Sequence, residues 1–91
     1  MEAFSMVRAV GLLDHIRMIK ESPMMVCFTL TAINKPYNCI VVKPELVTVL
    51  LMLQEGKYNI AVEGHMNKQK QLVVSEFTIR NPDKTARDLG L

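Results

Sequence analysis

Apolar and polar residues alternate along most of this chain, and the places where the alternation stops mark its elements. Between Gly56 and Gly64 the apolar residues Tyr58, Ile60 and Val62 fall at every second position. Successive side chains of an extended chain point to opposite faces, so this pattern predicts a half-buried strand over residues 58–66. Residues 24–33 repeat it, with Val26, Phe28 and Leu30 on one face and Cys27, Thr29 and Thr31 on the other, wetter one. Residues 4–16 predict a long first strand in which Gly11 marks a bulge or sharp bend. Residues 37–42 and 71–79 predict two more strands. The connections are polar: "IRMIKESP" after the first strand, "NKP" after the second and "NKQK" before the last.

The period changes in "KPELVTVLLMLQEG". Pro44 suits the first turn of a helix and Gly56 its stop. The β-branched Val47, Thr48 and Val49 leave a buried strand as the alternative, and the flanking Pro and Gly favour the helix. The order is then three strands, a short helix and two strands. That order predicts an all-β domain over residues 1–81: a five-stranded OB-fold, the Greek-key barrel that carries its helix between strands 3 and 4. A meander sheet with a packed helix satisfies the same pattern without closing. Residues 82–91 read as a polar C-terminal tail, loose beyond Pro82.

Composition limits what such a domain can be. Ninety-one residues make one domain with a thin core, in which 49% hydrophobic residues include seven Met and no Trp. Eleven basic against nine acidic residues give a net charge of +2, too mild to announce a nucleic-acid binder and no obstacle to one. The opening "MEAFSMVRAV" lacks a long apolar stretch, and no run approaches the ~18 apolar residues of a membrane span. A cytoplasmic protein that engages no membrane is expected, with Cys27 and Cys39 reduced and at least one of them buried.

The segments "VRAVGLL", "VCFTLT", "YNCIVVKPELV", "LQEGKYNIAVEGHM" and "LVVSEFTI" resemble, in order, those of bacterial single-stranded DNA-binding proteins and their smaller relatives, the primosomal replication proteins. The likeness spans Ser5 to Ile79. Its most specific part is a helix closing in Leu-x-x-Gly and a strand closing in Glu-Gly, matched by Leu53, Gly56, Glu63 and Gly64. The resemblance implies an OB-fold that binds single-stranded DNA, or RNA, in replication or recombination, as a homo-oligomer. Three departures narrow it. The aromatic residues are few: Phe4, Phe28, Tyr37, Tyr58 and Phe77, of which Phe28 and Tyr58 are expected in the core. The loop joining the last two strands shrinks to "NKQK", which disfavours wrapping of a long strand. The family's acidic tail has no counterpart in "PDKTARDLGL", so a recruiting hub is not expected.

A single strand needs cations for its phosphates and flat side chains for its bases. Arg17 and Lys20 after the first strand, Lys35 in the second turn, Lys43 at the end of the third strand, and Lys68 and Lys70 in the last turn could rim one side of the barrel. Tyr37, beside Lys35, is the candidate stacking residue. Solvation of turns alone also places lysines there. Arg8, flanked by Val7 and Ala9, must face water, a partner or a phosphate. His15 and His65 lie far apart with no Cys or acid at ligand spacing, so no metal is expected. Neither a G-x-S-x-G nor a phosphate loop is present, Asp14–His15 reads as a strand-end pair, and no enzyme, cofactor or small-molecule substrate is expected.

The predicted helix is apolar on nearly all sides, from Leu46 to Leu53, and Met6, Val10 and Leu12 add an apolar face on the first strand. Exposed surface of this kind calls for a subunit contact. A homodimer or tetramer is expected. The competing functional reading is an oligomeric protein-interaction module that has lost its nucleic-acid ligand.

Overall fold

The computed structural model describes residues 6–81 and 83–88. Phe4 and Ser5 of the expected first strand, Pro82, and residues 89–91 of the expected tail lie outside them. Five strands, β1 (Val7–Glu21), β2 (Met24–Ala32), β3 (Pro36–Val41), β4 (Asn59–Met66) and β5 (Leu72–Ile79), close into a barrel in the order β1-β2-β3-β5-β4. All pairings are antiparallel except β3 with β5. Helix α1 (Pro44–Leu51) joins β3 to β4, and α2 (Lys84–Asp88) follows β5. A closed five-stranded mixed barrel with one short helix between its third and fourth strands is the OB-fold that the element order implied.

The alternation along each strand sets the core. Val26, Phe28 and Leu30 of β2 and Ile60 and Val62 of β4 meet Leu13, Val41, Leu72 and Val74 inside, with Tyr58 entering just ahead of β4. Phe28 and Tyr58 are the largest fully buried side chains, each worth roughly 2–3 kcal/mol by area removed from water. Val47 and Leu50 of α1 join the same cluster, and the helix packs against β2. Cys39 is buried in the core and Cys27 half-buried on the opposite face of the sheet, because Cys39 stands opposite Phe28 while Cys27 stands opposite Ile40.

Three local expectations are corrected. Pro44 does open α1, with the Lys43 carbonyl accepting from the Leu46 and Val47 amides. The helix nevertheless ends at Leu51, tightened by Met52 N–H to the Val49 carbonyl and Leu53 N–H to the Leu50 carbonyl. Gly56 therefore is not its stop. It occupies a later turn at φ +70, where its amide donates to the Leu13 carbonyl at 2.8 Å.

Of the bulge or sharp bend expected at Gly11, the bulge is absent, because the β1 register runs unbroken through it. With Leu12 it is where β1 is paired on both sides, Gly11 with Ile60 of β4 and with Ala32 of β2. A Cβ there would lie 2.5 Å from the Thr31 carbonyl oxygen, so the close approach that closes the barrel requires glycine.

Finally, "IRMIKESP" is not a connection. Strand β1 continues through it to Glu21, and the hairpin turns at Ser22 and Pro23. Past β5 the chain is held to the barrel: the Asp83 carboxylate accepts the Tyr58 hydroxyl at 3.0 and 3.1 Å and pairs with Lys57 at 2.5 Å. From there it turns into α2.

Candidate nucleic-acid interface

Continuing β1 past Asp14 would, by simple alternation, put Ile16 outside and Arg17 inside. Two bulges prevent this. The register jumps from Asp14 opposite Thr29 to Arg17 opposite Cys27, and again from Met18 opposite Val26 to Lys20 opposite Met25. Ile16 is thereby packed against the core, while Arg17 and Lys20 share the outer face with Cys27 and Met25. The first bulge holds His15 at φ 50, and carboxylates satisfy its amides. Asp14 Oδ1 accepts from His15 N–H at 2.9 Å, and Glu55 Oε1, from the loop after α1, accepts from Ile16 N–H at 2.5 Å. Bulges re-aim side chains in this way beside functional sites.

An open groove of about 490 Å³ lies beneath this arm, lined by Arg17, Met18, Ile19, Cys27, Asn38 and Gln71, with Phe28 and Cys39 completing it. Its far wall is the turn between β4 and β5, which Asn67 builds. Asn67 Oδ1 accepts from the amides of Gln69 and Gln71 at 3.0 and 2.8 Å, and its Nδ2 donates to Gln71 Oε1 at 3.0 Å. The same scaffold sets Lys70 at φ 63 and leaves Lys68 and Lys70 exposed. Among the described residues neither Arg17, Lys20, Lys68 nor Lys70 forms an ion pair. Arg17 is the cation that lines the groove, and the turn that supplies Gln71 to it carries the exposed Lys68 and Lys70.

The other candidates are placed differently. Lys35 and Lys43 stand beyond opposite ends of β3, a strand of roughly 20 Å at 3.3 Å per residue. Lys43 Nζ donates to the Ser75 carbonyl at 3.0 Å. Tyr37 stands opposite Leu30, so its ring registers with the interior face and is half-buried against the core. The Lys35 ammonium lies 4.9 Å from its centroid, which occupies a ring face that a base would use. Arg8 pairs with Glu63, its cross-strand neighbour, at 2.8 Å on the outer β1–β4 face. Among the described residues no three His, Cys, Asp or Glu side chains come together.

Cys27, Asn38 and Gln71 were not among the sequence candidates. The alternation in β2 already put Cys27 outside, and the β2–β3 register gives Asn38 the same face through Thr29. What the sequence hid was the pair of bulges that carries Arg17 to them.

Burial governs two of the three shifted titrations, and the Asp83 carboxylate the third. It raises the Cys39 thiol from its ordinary 9.0 to about 12. Burial likewise pushes the Tyr58 hydroxyl up, reinforced by its bond to Asp83, and that carboxylate holds the Lys57 ammonium above its ordinary value. Of these groups Cys39 lines the groove, while Lys57 and Tyr58 do not.

No family model and no curated protein matches the sequence. Solved structures do match in shape. The mitochondrial single-stranded DNA-binding protein Rim1 of S. cerevisiae superposes with a TM-score of 0.76 at 13% identity, over 90% of this chain and 100% of that one. TiaS in complex with agmatine gives 0.71 at 18% identity over 87% of this chain, which corresponds to 22% of the TiaS chain. The S. pombe Stn1–Ten1 complex gives 0.66 at 13% identity, over 93% and 65%. At these identities the kinship is one of fold, and the fold is that of OB-barrel proteins, single-stranded DNA-binding ones among them.

Proposed function

We propose that this chain binds single-stranded DNA across the outer face of β2 and β3, without chemistry of its own. The observation that carries the reading is the groove. Cys27 and Asn38 of adjacent strands line it, Arg17 of β1 lines it beside them, and Gln71, next in sequence to Lys70, reaches it from the turn between β4 and β5. Exposed cations near an open channel, without an ion pair among the described residues, suit a phosphate backbone, which needs charge along a path. Lys35 and Lys43 extend that path at its ends. Tyr37 takes part only if Lys35 leaves its ring.

The finer assignment, to the bacterial single-stranded DNA-binding and primosomal replication proteins acting in the cytoplasm, follows from the motif resemblance and belongs to the same proposal. So does assembly. Met6, just ahead of β1, and Val10, on its outer face, are 61% and 49% exposed, and Leu51 and Met52 at the α1 end are 44% and 57% exposed. Covering either set of residues by a second copy would remove an aggregation liability, and two linked grooves would raise avidity without new contacts to the ligand. The competing reading, assembly without a nucleic-acid ligand, rests on the same apolar face.

Fluorescence anisotropy of a labelled mixed-sequence single strand across a salt series, with a duplex control, tests the proposal. The expected result is a preference for the single strand and an affinity falling linearly in log–log against salt. No binding at low salt would reject it.

A further inference from the structure

The groove differs from a stacking platform in one respect that bears on what it recognises. Phe28 and Tyr58 are buried, and Tyr37 and Phe77 pack against the core, so no described aromatic ring lies on the outer face of β2 and β3. That face offers Cys27, Thr29, Thr31 and Asn38 instead. Asn38 is exposed, lines the groove, and its carboxamide makes no hydrogen bond to any described residue. Arg17 lines the same groove, with the exposed aliphatic side chains of Met18 and Ile19 beside it.

Stacking on rings tolerates every base, because every base has a π-face. A carboxamide does not share that tolerance. It donates and accepts at a fixed spacing, and its favoured two-bond partner is the N6/N7 edge of adenine. Unstacked bases in a single strand expose that edge.

Resting on the single-strand reading above, we propose that Asn38 is a specificity-determining residue. It reads the edge of one unstacked adenine seated in the groove, with Arg17 on the adjacent phosphate and Met18 and Ile19 against the base face. Binding then depends on base identity, unlike binding by an aromatic platform.

Homopolymers of dA, dC and dT of equal length, titrated at one salt concentration, test this. The intact protein should bind dA about tenfold more tightly than dT, within the range for one bidentate base contact. Asn38→Ala, at an exposed position whose folding is checked by a thermal melt, should bring the ratio to about one by a loss that falls mainly on dA. Asn38→Asp, which accepts but cannot donate, should move the preference to dC through its exocyclic amine. Equal binding of all three by the intact protein, or a dA preference that survives both substitutions, overturns the role of Asn38 and leaves the single-strand reading standing. Failure to bind any of the three sinks both.

Discussion

Replacing Arg17 and Lys20 together by Ala removes two cations while leaving the barrel intact. Both side chains are exposed, neither forms an ion pair with a described residue, and both are turned outward by the bulges at Asp14/Arg17 and Met18/Lys20. If each neutralises one phosphate, the double substitution should reduce the slope of log affinity against log salt by about 1.4, at about 0.7 per single-strand contact. At about 0.1 M salt the same relation gives a loss of about 25-fold, or about 1.9 kcal/mol. The assay is the anisotropy titration repeated at several salt concentrations. Arg8→Ala is the control, since Arg8 is bound to Glu63 on the other side of the barrel and should leave the slope unchanged. An unchanged slope in the double variant, or an equal change in the control, would refute the placement of the site.

Other consequences concern the scaffold. Gly64 follows the bulge between Glu63 and Gly64, and a Cβ there would lie 1.9 Å from the Val73 carbonyl oxygen, so Gly64→Ala must part β4 from β5. A loss of about 3 kcal/mol, lowering Tm by about 10–20 °C in a calorimetric scan, is expected, and a shift of a degree or two would show the approach to be relaxed. Because the Cys39 thiol titrates at 9.0 when unfolded and near 12 when folded, stability is full below pH 9 and falls as pH rises toward 12. By about pH 10.5 this amounts to about 2 kcal/mol. Lys57 and Tyr58, both raised, add to the alkaline loss with the same sign. Urea unfolding at neutral and alkaline pH should show the decline, and Cys39→Ala should flatten it. Val10→Asp should yield a smaller species in sedimentation if the outer β1 face is covered by a second copy, while leaving the melt of the barrel largely unchanged.

The barrel was legible in the sequence because its core follows period two almost without exception: Val26, Phe28 and Leu30, then Tyr58, Ile60 and Val62, all point inward as their spacing demands. Pro44 announced α1 for an equally local reason. The misreadings share a physical cause, which is that long-range pairing overrode local chemistry. Gly11 resembles a bulge locally, but its requirement comes from the Thr31 backbone across the sheet. Charged, mixed residues 16–23 look like a loop, yet those up to Glu21 pair with β2 once two extra residues are absorbed. One of those absorptions depends on Glu55, distant in sequence, reaching the Ile16 amide. Of the candidate site, the cationic residues were visible one by one, whereas the grouping of Arg17 with Asn38 and Cys27 was not. That grouping is a product of register, which a one-residue slip would invert.

The most direct measurement is an NMR titration of the labelled protein with a single-stranded oligonucleotide, following backbone amide shifts. The account predicts the largest changes at Arg17, Met18, Cys27, Asn38 and Gln71, with Arg8, Ala61 and Glu63 on the opposite outer face left in place. Changes centred on Arg8, Ala61 and Glu63, or spread evenly over the barrel, would contradict it.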